Sequence, residues 1–190
     1  NEIELLKQRY DLKKEHLDKL NQNNEEKVKE YEEEIQSCRE TIRTLCGEID
    51  LLEQSKKALA EITVKIPENE KKIAAFTKVE SQIESKISKV GNDRSFYEHN
   101  ADCPTCRQAI TLEFKERHLG ELLSKQEELN SGLEELQVKI TAHEGLLRLM
   151  RGDEKELSNV RIQLATTNIS INSLNTTIVR LEKEIKDLQD

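Results

Sequence analysis

In a chain of 190 residues, charged side chains make up 36% and aromatics only 3%, with no Trp and two Pro, a composition of long helices that excludes a large compact core. The net charge is -8, with Lys and Arg scattered among a surplus of Asp and Glu, so no basic patch able to neutralise phosphates is expected and no direct nucleic-acid site is evident. No apolar run approaches the roughly 18 residues that span a bilayer, and the start at Asn1-Glu2-Ile3-Glu4 has neither the basic nor the apolar region of a signal peptide, so the expectation is an intracellular chain without membrane contact.

The chain starts on Asn rather than Met, which suggests an internal piece of a longer protein. Residues 1–18 carry Ile3, Leu6, Tyr10 and Leu17 at helical spacing and are expected to overhang, fray or pair with another molecule. Residues 19–91 form the ascending arm. From Val28 the apolar residues recur at alternating steps of three and four: Tyr31, Ile35, Cys38, Ile42, Leu45, Ile49 and Leu52. That 3.5-residue period is the a/d seam of a coiled coil. The series fails at Lys56 and resumes in shifted phase with Leu59, Ile62 and Ile66, then Ile73, Phe76, Ile83, Ile87 and Val90. Pro67 cannot donate a backbone hydrogen bond, so a kink or short non-helical bend is expected near residues 63–68.

Gly91-Asn92 is a plausible C-cap, and Thr111 followed by Glu113 a plausible N-cap and acidic first turn, which delimits a loop at 92–110. The descending arm, 111–190, has its own seam through Leu122, Leu129, Leu136, Ile140, His143, Leu147 and Met150. It breaks around Arg151-Gly152-Asp153 and resumes from Leu157 to Leu188. If the arms fold back about Cys103 and Cys106, Val90 lies opposite Leu119, Leu59 opposite Met150, Cys38 opposite Ile171 and Val28 opposite Leu181. Asn69 then faces Ile140, and Ile66 faces His143. The expected fold is all-α, a long intramolecular antiparallel coiled-coil hairpin with arms on the order of 110 Å.

The chemistry concentrates in Cys103-Pro104-Thr105-Cys106. A redox dithiol, a strained disulfide and half of a zinc site are the readings of such a motif. The absence of a thioredoxin-like βα pattern and the intracellular setting favour zinc. Proline stiffens the turn, and the backbone N–H groups after it can hydrogen-bond to thiolates. Cys46 is roughly 70 Å or more back along the arm and cannot contribute. His99 and His118 flank the motif but fit no zinc-finger spacing, although a site of two Cys and two His within one chain stays open. The simplest completion is a second chain, giving a homodimer joined tip to tip around one Zn2+ per two chains, held by Cys103 and Cys106 of each. Phe96, Tyr97 and Phe114, with Pro104, would support the loop; the three rings are half of the chain's aromatics. A reversible thiol switch and a purely structural parallel coiled coil remain the alternatives.

A C-P-x-C at the apex of an antiparallel coiled coil resembles the zinc hook of the SMC-like ATPases of DNA double-strand-break repair, the bacterial SbcC and eukaryotic "Rad fifty" family. The segment Tyr97-Glu98-His99-Asn100-Ala101-Asp102-Cys103-Pro104-Thr105-Cys106 is most similar to the recombination endonuclease subunits of T-even phages. The specific part covers about twenty residues, and the arms match only generically. The resemblance implies that Cys103 and Cys106 are the zinc cysteines of a hook that links two complexes. It also implies an ATPase head outside this piece, a partner nuclease, DNA tethering, and a location in the cytoplasm of an infected bacterium. The chain has no G-x-x-x-x-G-K-[ST] phosphate loop, so no ATPase or other enzymatic activity is expected of it.

Overall fold

A computed structural model describes residues 2–190. Among them are three long helices, α1 (Glu2–Thr63), α2 (Ile66–His99) and α3 (Leu112–Gln189), and no strand, so the chain is all-α with coiled-coil-like helices. None of these helices is long and apolar enough to cross a membrane.

The interruption between α1 and α2 follows from Pro67. In a continuous helix its ring would meet the carbonyl of Thr63 and its missing N–H would leave that carbonyl unpaired. The helix instead ends at Thr63, and Val64 and Lys65 form a turn whose backbone N–H groups reach Ala60 O and Ile62 O, both at 3.1 Å. Pro67 then falls in the first turn of α2, where no N–H is needed. The bend expected near residues 63–68 is therefore present. The break expected at Arg151-Gly152-Asp153 is not, because α3 runs through it unbroken. Met150 and Leu157 are both buried, one heptad apart, so the seam persists and only its middle position turns polar.

The chain divides into two compact units. The first comprises Asn1–Ala58 and Leu157–Asp190. Its core is a cluster of Ile35, Cys38, Ile178 and Leu181, flanked by Tyr31, Ile42, Leu174 and Ile185. Leu181 is the best-buried side chain, at 1% exposure. Cys38 thus packs with Ile178 rather than with the expected Ile171, and Val28 lies near Leu188 rather than Leu181. The register in this unit is displaced by one heptad. A seam that repeats every 3.5 residues offers an equivalent set of layers at each such step, so periodicity alone cannot choose among them. Across the arms, Arg39 pairs with Glu182 at 3.0 Å, and Asn24 donates to Leu188 O at 3.4 Å. Ile3, Leu6, Tyr10 and Leu17 remain exposed, as do Leu12 and Leu20. Asn1, the first residue of the anticipated overhang, lies outside the described residues.

The second unit, Leu59–Glu156, contains α2, the loop and the facing part of α3. His143 sits between Asn69 and Phe76 rather than opposite Ile66, and Glu80 meets Gln137, so the register here too is displaced by about one heptad from expectation. Lys56 of the first unit and Thr63 of the second occupy half-buried positions that carry the 3–4 rhythm past Leu52. Ile62, placed on the seam by sequence, is 40% exposed. Helix α2 also passes through Gly91-Asn92 to His99 and is capped at Asn100, whose N–H and side-chain amide both donate to Phe96 O. Two further turns of helix bring Tyr97, backed by Phe96, onto Phe114 and His118 of α3, and that packing outweighs the helix-stopping preference of Gly-Asn.

Candidate metal centre

The loop between α2 and α3 spans residues 100–111, shorter than the expected 92–110, and its midpoint falls between Thr105 and Cys106. Thr111 caps α3 as expected, its Oγ1 accepting from Phe114 N at 3.3 Å. Within the loop the chain doubles back on itself. Ile110 N donates to Ala101 O and Cys103 N to Gln108 O, both at 2.8 Å, while Asp102 and Ala109 form an antiparallel bridge. The Cys motif is the turn that closes this short ribbon, with Arg107 N donating to Cys103 O at 2.7 Å.

Pro104 fixes its own φ and offers no N–H, so the donors left to face the first sulfur are those of the next two residues. The N–H groups of Cys106 and Thr105, followed by the Cys106 thiol, hold the Cys103 thiol below the ordinary value of 9.0. These donors favour the thiolate, which is the metal-binding and nucleophilic form. The Cys106 thiol lies 3.7 Å from Gln108 Oε1. None of the four cysteines forms a disulfide; Cys38 is buried in its seam and Cys46 is exposed on α1.

Arg107 closes the turn at φ 58, the left-handed region, and it is the only non-Gly residue among those described to do so. A side chain with a Cβ costs about 1–2 kcal/mol there. Glycine would relieve that cost but loses about 0.5–1 kcal/mol in added freedom of the unfolded chain. Arg107→Gly is therefore expected to stabilise the metal-free turn by roughly 0.5–1 kcal/mol. Slower amide hydrogen exchange at Arg107 and Cys103 would report it; faster exchange would mean that the arginine side chain makes a stabilising contact.

Phe96, Tyr97, Ile110 and Phe114 line a groove of about 320 Å³ together with Cys103 and Cys106. The rings are interlocked. Tyr97 stands edge-on to Phe96 at 5.1 Å and to His118 at 4.6 Å, while Phe114 stacks on His118 at 5.5 Å. His118 is thus committed to the aromatic cluster, and its Nδ1 lies 3.5 Å from Glu121. His99 Nδ1 bonds to Ser95 O at 2.8 Å. Among the described residues no three His, Cys, Asp or Glu side chains converge, so the site of two Cys and two His left open by sequence is not assembled within one chain. The donor set that is assembled, two adjacent thiols on a turn with N–H groups aimed at one of them, fits half of a tetrahedral thiolate zinc site.

Cys103, Cys106, Phe96, Tyr97 and Phe114 all meet at this end of the hairpin, with Pro104 in the turn. Arg107 and Gln108, which shape the turn, went unnoticed in the sequence. Gly or Asn after the second cysteine would have signalled a left-handed residue, and Arg gives no such cue. Compared with protein-family models, curated proteins and solved structures, the chain matches none of them significantly.

Proposed function

We propose that this chain is a non-catalytic, zinc-dependent dimerisation module, in which Cys103 and Cys106 of two copies share one Zn2+ and join two coiled-coil hairpins tip to tip. The observation that carries the reading is the turn itself: it presents two thiols together, favours the thiolate of Cys103, and among the described residues meets no third His, Cys, Asp or Glu ligand. Zinc would supply the cross-link, and the aromatic cluster would hold the turn in place beneath it. By its resemblance to the zinc hooks of double-strand-break repair ATPases, the module would tether DNA-bound complexes whose ATPase and nuclease parts lie outside this piece. Direct mass measurement with zinc analysis tests the reading. One zinc per two chains is expected, with Cys103→Ser plus Cys106→Ser giving metal-free single chains. Zinc on a single chain, or dimers that persist in the double variant, would sink it.

The lowered Cys103 thiol also supports a second reading, a reversible thiol switch positioned by the coiled coil. Rapid exchange of Cys103 with a small disulfide, without any zinc uptake, would favour that alternative.

A further inference from the structure

We infer that Asn69 and His143 together select the register in which α2 pairs with α3. Asn69 is buried to 5% exposure and is the only buried polar residue among those described. Its Nδ2 donates to the His143 backbone O at 2.9 Å, and its Oδ1 lies 2.7 Å from His143 Nδ1, so the Asn69 side chain engages both the backbone and the ring of His143. Phe76 packs on the imidazole at 5.5 Å and closes the site on one side. These contacts lie one turn into α2, just after the chain has left the interruption at Val64–Lys65.

The apolar seam does not make this choice. With the arms displaced by seven residues, Val90 would meet Leu119, Ile87 would meet Leu122 and Ile73 would meet Leu136, so apolar layers form in that register as readily as in the observed one. What changes is the polar pair. In the displaced register Asn69 would face Ile140 and His143 would face Ile66, and the buried Asn69 and half-buried His143 would lose each other as partners, a loss that an alternative packing of Leu and Ile cannot return. A buried polar side chain acting as a register key is an established use of such residues in coiled coils. Here the key is heterotypic, with one half on each arm. A slip of seven residues would move the arms past each other by about 10 Å and pull Tyr97 away from Phe114 and His118. Fixing the register at Asn69 therefore also fixes the aromatic base of the Cys turn.

The test is a distance measurement in the full chain, with spin labels attached through a non-cysteine handle at Lys71 and Glu128, both exposed. The parent chain should give one distance. Asn69→Leu with His143→Leu should add a second population with the arms displaced by about 10 Å. Exchanging the two residues, Asn69→His with His143→Asn, should restore the single parent distance. A double-Leu variant that keeps the single parent distance would overturn the inference and assign the register to the tip packing alone. Should that variant fail to fold, the exchanged variant decides: the single parent distance upholds the inference, and a split or displaced distribution overturns it.

Discussion

Acidification should separate zinc-linked dimers into single chains, and chelation at neutral pH should do the same. Structural zinc sites contribute on the order of 10–16 kcal/mol at neutral pH, so under the proposed zinc link losing the metal would be the largest single change open to this molecule. Each ligand must shed its proton before it binds, and protons therefore compete with zinc. The direction of the Cys103 shift sets the side on which the competition falls. Its thiol is held below 9.0 by the N–H groups of Cys106 and Thr105, then by the Cys106 thiol. A depressed acid contributes its stabilisation in full above the ordinary value and loses it as the pH falls through the lowered one. Dissociation should consequently have its midpoint at a lower pH than a site made of ordinary thiols. Thr105→Pro removes one of the two donors and should move that midpoint upward. Sedimentation across a pH series reads both effects. Dimers indifferent to pH and chelator would exclude a thiolate-zinc link.

Leu181→Ala should cost the first unit about 2–5 kcal/mol. Leu181 is 1% exposed and lies in the cluster with Ile35, Cys38 and Ile178. Truncation removes its transfer energy and leaves a cavity between stiff helices that can close only in part. Leu20→Ala is the matched control, since Leu20 is 48% exposed. That substitution trades one good helix former for another and should stay within about 0.5 kcal/mol. Hydrogen exchange resolved by residue separates the two effects: amides of residues 31–42 and 174–185 should lose protection in Leu181→Ala and keep it in Leu20→Ala. Equal losses in both would mean that the burial of Leu181 does not govern the stability of this unit.

The helices, the bend before Pro67 and the position of the Cys turn were legible in the sequence because each rests on local chemistry. Apolar spacing sets the seam, a missing N–H ends α1, and a Thr hydroxyl starts α3. Register was less legible. The seam of Ile35, Cys38, Ile178 and Leu181 repeats with a period that makes displaced alignments look equally good, and only contacts that break the repeat resolve them. Asn69 and His143 supply such a contact. In sequence they read as two separate imperfections facing isoleucines, because the displaced alignment concealed that each was the other's partner. Gly91-Asn92 misled for a different reason: a stop signal worth less than about 1 kcal/mol competes with Tyr97, backed by Phe96, packing on Phe114 and His118. At the site, the two cysteines stood out by spacing, whereas the left-handed conformation of Arg107 depends on how the ribbon from Ala101 to Ile110 closes.

The two-residue interruption at Val64 and Lys65 makes the arms unequal in what they can accept. Val64 is 72% exposed, and its backbone is tied only to its own preceding turn. Extra residues, a fluorescent reporter or even a break in the polypeptide could enter there without removing a rung from either helix. No comparable point exists between Leu112 and Gln189, where any insertion would rotate every downstream side chain about the α3 axis by about 100° per residue. The first arm is thus the one through which the molecule can be lengthened, split or tagged, and the second is the template on which the pieces would reassemble.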